Sequence, residues 1–261
     1  MLKISVAIPC YNAADFIETT IQSILHQDYP NIECIVVDGG SSDGTTDILA
    51  RYNDKITWVT ETDMGQSDAI NKGLKLATGD IVAELDADDI YERDAFKKVA
   101  AFFEQNPDAR WVYGKCRNID GSNREIRKPI TWTKNYFSKR YSYNKLLVSN
   151  FIPQPAVFWR RELMDEMGLF DVNEHLVMDY EYWLRCGARY APGYIDDYLA
   201  GWRIHPSSKS SRNYITEHRE ALNIARKYAS ATIPIIFHYL VYFFMVAAYG
   251  VTSAASRLRR R

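Results

Sequence analysis

An open, mostly parallel α/β sheet flanked by helices is the fold this sequence predicts, and three observations carry the prediction. Short β-rich runs alternate with helical ones from Ile4 to Glu104, the signature of a sheet covered on both faces. The run Ile32–Val37 is apolar except for Glu33, as a strand buried on both faces must be. With 261 residues and 47% apolar content, the chain can bury a full core as one large domain with or without a small appendage.

The elements follow in order. Ile4–Ile8 is a strand, and Ala14–Leu25 is a helix with Phe16, Ile17, Ile21, Ile24 and Leu25 along one side. Ile32–Val37 is the second strand, Thr45–Tyr52 a short helix, and Ile56–Thr60 a strand. Ser67–Ala77 is a helix, Ile81–Leu85 a strand, and Arg93–Glu104 a helix. Trp111–Asn118 adds a strand, and Asp120-Gly121-Ser122-Asn123 is a turn by its Gly and polar content. From Pro129 to Tyr143 comes an aromatic and basic stretch with Trp132, Tyr136, Phe137, Tyr141 and Tyr143 and no clear period. It reads either as a lid or acceptor-facing loop or as a peripheral packing layer. Sheets of this kind place their binding sites at the carboxyl ends of their strands. Pro9 to Asn12, Asp38 to Asp43, Glu61 to Gly65 and Asp86 to Asp89 are therefore expected to converge.

Composition narrows the classes. A net charge of -1 gives no reason to expect a nucleic acid or another polyanion as partner. Cys10, Cys34, Cys116 and Cys186 form no CxxC pair and read as buried thiols in a reducing compartment. Met1-Leu2-Lys3 runs straight into an apolar strand without an h-region, so the amino-terminal part is expected to stay cytoplasmic.

Two acidic clusters carry the chemistry. Asp86-Ala87-Asp88-Asp89 follows a strand, and carboxylates packed so densely repel one another unless a cation lies between them. Strand alternation would point Asp86 and Asp88 to one side and Ala87 away. Hard oxygen ligands favour Mg²⁺ or Mn²⁺. The bland alternative is a solvated turn with Asp89 capping the next helix. Asp179-Tyr180-Glu181 opens a helix-like run, where Asp179 is either a general base or the cap of the helix Tyr180–Cys186. Local burial beside Tyr180, Tyr182 and Trp183 would raise its affinity for a proton. Asp38-Gly39-Gly40-Ser41-Ser42-Asp43-Gly44-Thr45 links a strand to a helix. Its glycines permit close backbone approach, its helix terminus suits an anion, and Asp38 suits the donor edge of a nucleobase. A plain Gly/Ser turn capped by Asp43 or Thr45 fits equally well. The loop is neither GxGxxG nor a P-loop.

The ordered motifs resemble family 2 glycosyltransferases with the GT-A, Rossmann-like fold. They begin with Val6-Ala7-Ile8-Pro9-Cys10-Tyr11-Asn12, the Asp38 loop and Leu85-Asp86-Ala87-Asp88-Asp89. They continue through Asp63-Met64-Gly65-Gln66-Ser67-Asp68-Ala69-Ile70-Asn71-Lys72-Gly73 and Pro153-Gln154-Pro155-Ala156-Val157-Phe158, and close with Gly168-Leu169-Phe170-Asp171 and Asp179-Tyr180-Glu181-Tyr182-Trp183-Leu184-Arg185. Within the family the chain is most similar to bacterial transferases that build O-antigen or exopolysaccharide repeat units.

The resemblance implies that Pro9, Tyr11, Asn12 and Asp38 border a uridine-type base and ribose. It implies that Asp63, Gln66, Asp68 and Lys72 line the donor pocket, with Ala87 and Asp86 beside the nucleotide-sugar. Asp88, helped by Asp86, would hold Mn²⁺ or Mg²⁺ on the donor diphosphate, and Asp179 would be the base of an inverting transfer. His205, in a His-x-x-Ser-Lys-Ser element, would help hold the metal; the other reading is a surface turn residue before Pro206. Relatives usually carry Glu before the base, where this chain has Met178. A UDP-sugar donor and a saccharide or polyprenyl-linked saccharide acceptor are the partners implied. Two rivals are a sugar-nucleotide pyrophosphorylase, which lacks its Gly-rich basic loop here, and a non-catalytic nucleotide-sugar-binding membrane scaffold.

The chain divides into 1–215, the transferase domain, and 216–261, a helical extension. No Asp, Glu, Lys or Arg occurs from Tyr228 to Ser256, and Arg257, Arg259, Arg260 and Arg261 close the chain. A single crossing would place those arginines outside, against the positive-inside preference, and Pro234, His238 and Gly250 interrupt the run. An in-plane or re-entrant helix at the inner face of the plasma membrane fits better, with a homo-oligomer contact as the other reading.

Overall fold

The computed structural model describes residues 1–206 and 208–243. β1 (Ile4–Cys10), β2 (Ile32–Asp38), β3 (Thr57–Thr60) and β4 (Ile81–Glu84) pair in parallel, in the order β3-β2-β1-β4. β5 (Ile90–Tyr91), β6 (Trp111–Ile119), β7 (Val157–Arg160) and β8 (Gly193–Arg203) extend this to eight strands ordered β3-β2-β1-β4-β7-β6-β8-β5. β7 runs antiparallel to both β4 and β6, β8 is parallel to β6, and β5 is antiparallel to β8. The sheet is thus a parallel α/β half joined to a mixed half.

Side-chain alternation divides two cores. Ile4, Val6 and Ile8 of β1 pack on Ile17, Ile21 and Ile24 of α1 (Ile17–Leu25) and, with Phe96, Val99 and Phe103 of α4 (Ala95–Gln105), form one. Ala7 faces the other, with Ile70 and Leu74 of α3 (Gln66–Leu76) and the tryptophans Trp111, Trp159 and Trp183. α3 lies so close to β1 that a Cβ on Gly73 would stand 2.8 Å from that of Ala7. Any larger residue would lift the helix whose first turn borders the site.

Several boundaries differ from the sequence reading. α1 begins at Ile17 rather than Ala14. The amides of Ala13 and Ala14 donate to Thr45 Oγ1 and Asp43 Oδ2 at 2.9 and 3.0 Å, which holds that segment as a turn against α2 (Thr45–Ala50). The aperiodic stretch after Pro129 is helical, forming α5 (Lys128–Ser138) and the start of α6 (Tyr143–Val148). The four cysteines are free thiols, and burial pushes those of Cys34 and Cys186 up to about 12.

α7 (Arg161–Met167) and α8 (Met178–Gly187) precede β8, and α9 (Lys209–Tyr228) follows it, continuing across the expected boundary at 215. Leu222, Ile224 and Ala225 of α9 are buried. Residues 232–243 form a further helix, seated on α6 through His238 Nδ1 and the Leu147 carbonyl at 2.7 Å. Among the described residues no helix is long and apolar enough to cross a membrane. Residues 244–251 of the apolar run, the arginines from Arg257 onward, and Ser207 of the His205 element lie outside the described residues.

Candidate active site

The carboxyl ends of the parallel strands are laced together. Asn12, which follows β1 with φ 49°, adopts the left-handed backbone that Asn tolerates better than most residues. Its amide donates to Ser41 Oγ at 2.7 Å, and its side-chain oxygen accepts from the Ser42 amide at 2.9 Å. Asp38 is fully buried. Its carboxylate accepts from the Gly40 and Ser41 amides at 3.2 and 3.1 Å and from the Ser41 hydroxyl, so it organises its own loop. Pro9 is buried, whereas Tyr11 stands 66% exposed at the mouth.

Asp63 accepts from the Gly65 amide at 2.8 Å and fills the space beside Gly39, where a Cβ would collide with its carboxylate. The third loop is held by Asp68, which accepts from the Met64 amide at 3.1 Å. Lys72 lies 3.3 Å from Asp68 and 3.4 Å from Glu61, and donates to the Thr62 carbonyl at 2.9 Å. Those contacts staple the loop entering α3 and do not reach the acidic residues after β4.

β4 ends at Glu84, so Asp86 to Asp89 do not continue the strand. They form a turn closed by the Asp89 amide on the Asp86 carbonyl at 3.1 Å. Strand alternation is therefore not what aligns them. The turn brings Asp86, Asp88 and Asp89 together, with ligand atoms within 4.8 Å of one another, while Ala87 packs into the core. The Thr20 hydroxyl on α1 fixes the turn from beneath, 2.9 and 2.7 Å from the Ala87 and Asp89 carbonyls. Asp89 does not cap α4, whose cap position is Asp94. Instead its buried Oδ1 accepts from the Arg203 amide at 2.7 Å, and its Oδ2 has no hydrogen-bond partner.

β5 places β8 against this turn. Because Ile90 pairs with Gly201 and Tyr91 with Ala200, the chain leaving β8 arrives at the aspartates. Arg203 is 1% exposed, and its Nε donates to the Asp88 carbonyl at 2.5 Å. His205 Nε2 lies 2.7 Å from Asp88 Oδ2. Burial, and then the charges of Asp88 and Asp86, push the Asp89 carboxyl well above the usual carboxylate range, against the opposing pull of Arg203.

The second cluster comes to the same place through the first turn of α3. Gln66 Nε2 donates to Asp86 Oδ1 at 2.5 Å, and the next residue, Ser67, donates to Met178 Sδ at 2.9 Å. Asp179 follows Met178, half-buried, and accepts from Asn150 Nδ2 at 3.0 Å. Tyr180, Tyr182 and Trp183 turn into the second core. Between the two clusters sits Glu84. It is fully buried and has no partner at hydrogen-bond geometry among the described residues, and the nearby Gln154 amide favours the ionised form. Burial first, then the charges of Asp86 and Asp179, raise its carboxyl well above the usual range.

Glu84, Arg203 and Asn150 are not among the residues the sequence points to, and Asp89, although part of the acidic cluster, is not among the metal ligands the resemblance implies. A charged residue inside the otherwise apolar strand Ile81–Leu85 was the available signal for Glu84. Arg203, two positions before His205, was the signal for a cation near the turn. Asn150 offered none, because its partner lies 29 positions away.

The donor set fits a divalent cation. Three carboxylates converge with an imidazole, and one buried carboxyl oxygen lacks any partner, as hard-cation sites require. Fold and site together define a GT-A glycosyltransferase. The family model described as Glycosyl transferase family 2 matches residues 5–168, and the chain belongs to that family. It is 30% identical over 188 residues to a PGL/p-HBAD biosynthesis glycosyltransferase of Mycobacterium bovis, covering 70% of this chain and 68% of the relative. Over 103 residues it is 44% identical to the putative teichuronic acid biosynthesis glycosyltransferase TuaG of Bacillus subtilis, covering 38% of this chain and 41% of that one.

Two solved structures share the fold. Mannosyltransferase PcManGT from Pyrobaculum calidifontis, in complex with GDP-Man and Mn²⁺, superposes with TM-score 0.73 at 22% identity, covering 98% of this chain and 75% of that one. S. aureus TarS 1–349 with UDP-GlcNAc gives 0.63 at 21% identity, covering 85% and 66%. The chain spans 39% of the longer TarS structure.

Proposed function

We propose that this glycosyltransferase is metal-dependent and inverting, and that it moves a sugar from a UDP-sugar to a saccharide or polyprenyl-linked saccharide in bacterial surface polysaccharide synthesis. The observation that carries the reading is the convergence on one α3 turn of the acidic turn, through Gln66, and of the residue beside Asp179, through Ser67. Complexes of structural neighbours with UDP-GlcNAc and with GDP-Man and Mn²⁺ support a nucleotide-sugar donor and a divalent metal.

In this reading Pro9, Tyr11, Asn12 and Asp38 border the base and ribose, and Asp63, Gln66, Asp68, Lys72 and Ala87 line the donor side. Asp86, Asp88 and His205, joined by Asp89, hold Mn²⁺ or Mg²⁺, which when bound neutralises the departing diphosphate. A sugar hydroxyl is a weak nucleophile, so a carboxylate within reach must take its proton as it attacks. Asp179 does so, held by Asn150. The new bond forms at the anomeric carbon on the face opposite the breaking bond to the diphosphate oxygen, and the configuration inverts. Residues 1–215 are the catalytic body, and 216–261 carry the helices that meet the inner membrane surface or a second copy.

Thermal unfolding with UDP or GDP, each with and without Mn²⁺, tests the reading. A ligand at a hundred times its Kd stabilises by about 2.7 kcal/mol. UDP is expected to raise the melting temperature only with Mn²⁺ in the native chain, and not in Asp88→Ala. Equal metal-dependent stabilisation of Asp88→Ala would remove Asp88 from the metal site.

A further inference from the structure

We propose that α5 is a membrane-docking element whose outward face inserts aromatic side chains into the surface of an anionic phospholipid bilayer. This goes beyond the reading of the carboxyl-terminal segment and depends on neither the metal nor the donor.

The helix is packed inside out. A surface helix normally buries its apolar stripe and exposes its polar one. α5 turns Thr131, Asn135 and Ser138 inward, all buried. These residues replace apolar packing with hydrogen bonds. Asn118 Nδ2 donates to Thr131 Oγ1 at 2.7 Å, the Cys116 amide donates to Asn135 Oδ1 at 3.4 Å, and Tyr113 donates to the Ser138 carbonyl at 2.5 Å. Outward go Ile130, Trp132, Tyr136 and Phe137, exposed by 49, 68, 65 and 59%. Trp132 and Tyr136 stack with ring centres 5.6 Å apart, and Phe137 lies edge-on to Tyr136 at 5.7 Å. Four large apolar residues on one short helix, three of them aromatic, form a patch of the kind that marks an interaction surface.

Charge selects the occupant. No Asp or Glu occurs from Ile126 to Arg161, although the whole chain carries 33 acidic and 32 basic residues. Within that interval Arg127, Lys128, Lys134, Lys139, Arg140 and Lys145 flank the aromatic patch. Arg127, Lys128, Lys139, Arg140 and Lys145 are exposed, whereas the Lys134 ammonium is turned inward, where burial lowers its pKa. Lys139 is paired with Asp196 at 2.6 Å, and Lys134 lies over the Trp202 ring at 5.2 Å. Trp and Tyr beside Lys and Arg match the depth profile of a bilayer interface, with rings at headgroup level and cations toward anionic lipid. The second exposed apolar helix, 232–243, is seated on α6, the helix that directly follows α5. Its Ile233, Ile236, Phe237 and Leu240 are exposed as well.

Flotation of the full chain with phosphatidylcholine vesicles, with and without phosphatidylglycerol, tests the assignment. The native protein is expected to float with the anionic vesicles and to be released by salt. The triple variant Trp132→Ala/Tyr136→Ala/Phe137→Ala, checked for native circular dichroism, should bind them at least about tenfold more weakly, since each ring buried in the interface adds to the affinity. Donor hydrolysis should be unchanged. Arg127→Glu/Lys128→Glu, which leaves the rings intact, should abolish the preference for anionic lipid. Undiminished flotation of the triple variant would overturn the proposal. So would conversion of a dimer to a monomer by the triple variant, because a second copy would then be the occupant.

Discussion

Replacing Glu33 by Gln should weaken the sheet at the end opposite the acidic turn, by an amount that depends on pH. The Glu33 carboxylate accepts from Lys3 Nζ at 2.7 Å, Ser5 Oγ at 2.5 Å, and the amide and hydroxyl of Thr78, both at 2.7 Å. These contacts tie β1 and β2 to the connection between α3 and β4. Burial alone would raise the carboxyl, but the hydrogen bonds, led by Lys3, outweigh it and lower the pKa from 4.5 to about 2. At about 1.4 kcal/mol per pH unit, that interval corresponds to about 3 kcal/mol at most. The Glu33 and Lys3 side chains remain 19% and 32% exposed, and solvent screening brings the expectation to roughly 2 kcal/mol.

Because the folded pKa lies below the unfolded one, this stability is fully present above pH 4.5 and is lost as pH falls toward about 2. Urea unfolding of the native chain and of Glu33→Gln across this range checks it. The gap between them should be roughly 2 kcal/mol at neutral pH and should close in acid, with unchanged m values. A gap that stays constant with pH would refute the assignment of the stability to this carboxylate.

Three further outcomes follow from the site. Asp179→Asn should retain metal-dependent donor binding in calorimetry and lose transfer by about 10² to 10⁴-fold, the range for a positioned base; near-native transfer would remove Asp179 from that role. Asn150→Ala deletes the donor 3.0 Å from Asp179, so turnover should fall by roughly tenfold while the acid limb of the pH–rate profile moves upward; an unmoved limb would leave Asn150 a purely structural part. Glu84 has a folded pKa raised above its unfolded value, so its burial weakens the native state increasingly as pH rises above the unfolded pKa. Glu84→Gln should therefore match the native chain in acid and exceed it in stability at neutral pH, with chelator present; a less stable variant at neutral pH would show that the carboxylate is ionised and paired.

The sheet's parallel half was legible because its strands are short apolar runs between helical repeats, and that pattern depends only on local side-chain periodicity. The family was legible for a related reason: its motifs are contiguous. β7 and β5 were harder. β5 has two residues, too few for any period, and β7 stands outside the regular strand-helix alternation that marks the parallel half. α5 carries no readable period because it buries polar residues and exposes aromatic ones, which erases the apolar stripe that marks a surface helix.

Sequence alone determined the fold class, the family and the acidic composition of the turn after β4, since each is written in neighbouring residues. Tertiary structure decided which carboxylates face one another. Asp89 joins Asp86 and Asp88 because a hydrogen-bonded turn, not strand alternation, orients them. Arg203 and His205 reach the same turn because β8, paired with β6 on one side and β5 on the other, ends beside it. Glu84, placed by the pairing of β4 with β1, comes under the charges of both Asp86 and Asp179. Hydrogen bonds and charges act through space, and the fold brings together residues as far apart in the chain as Asp88 and His205.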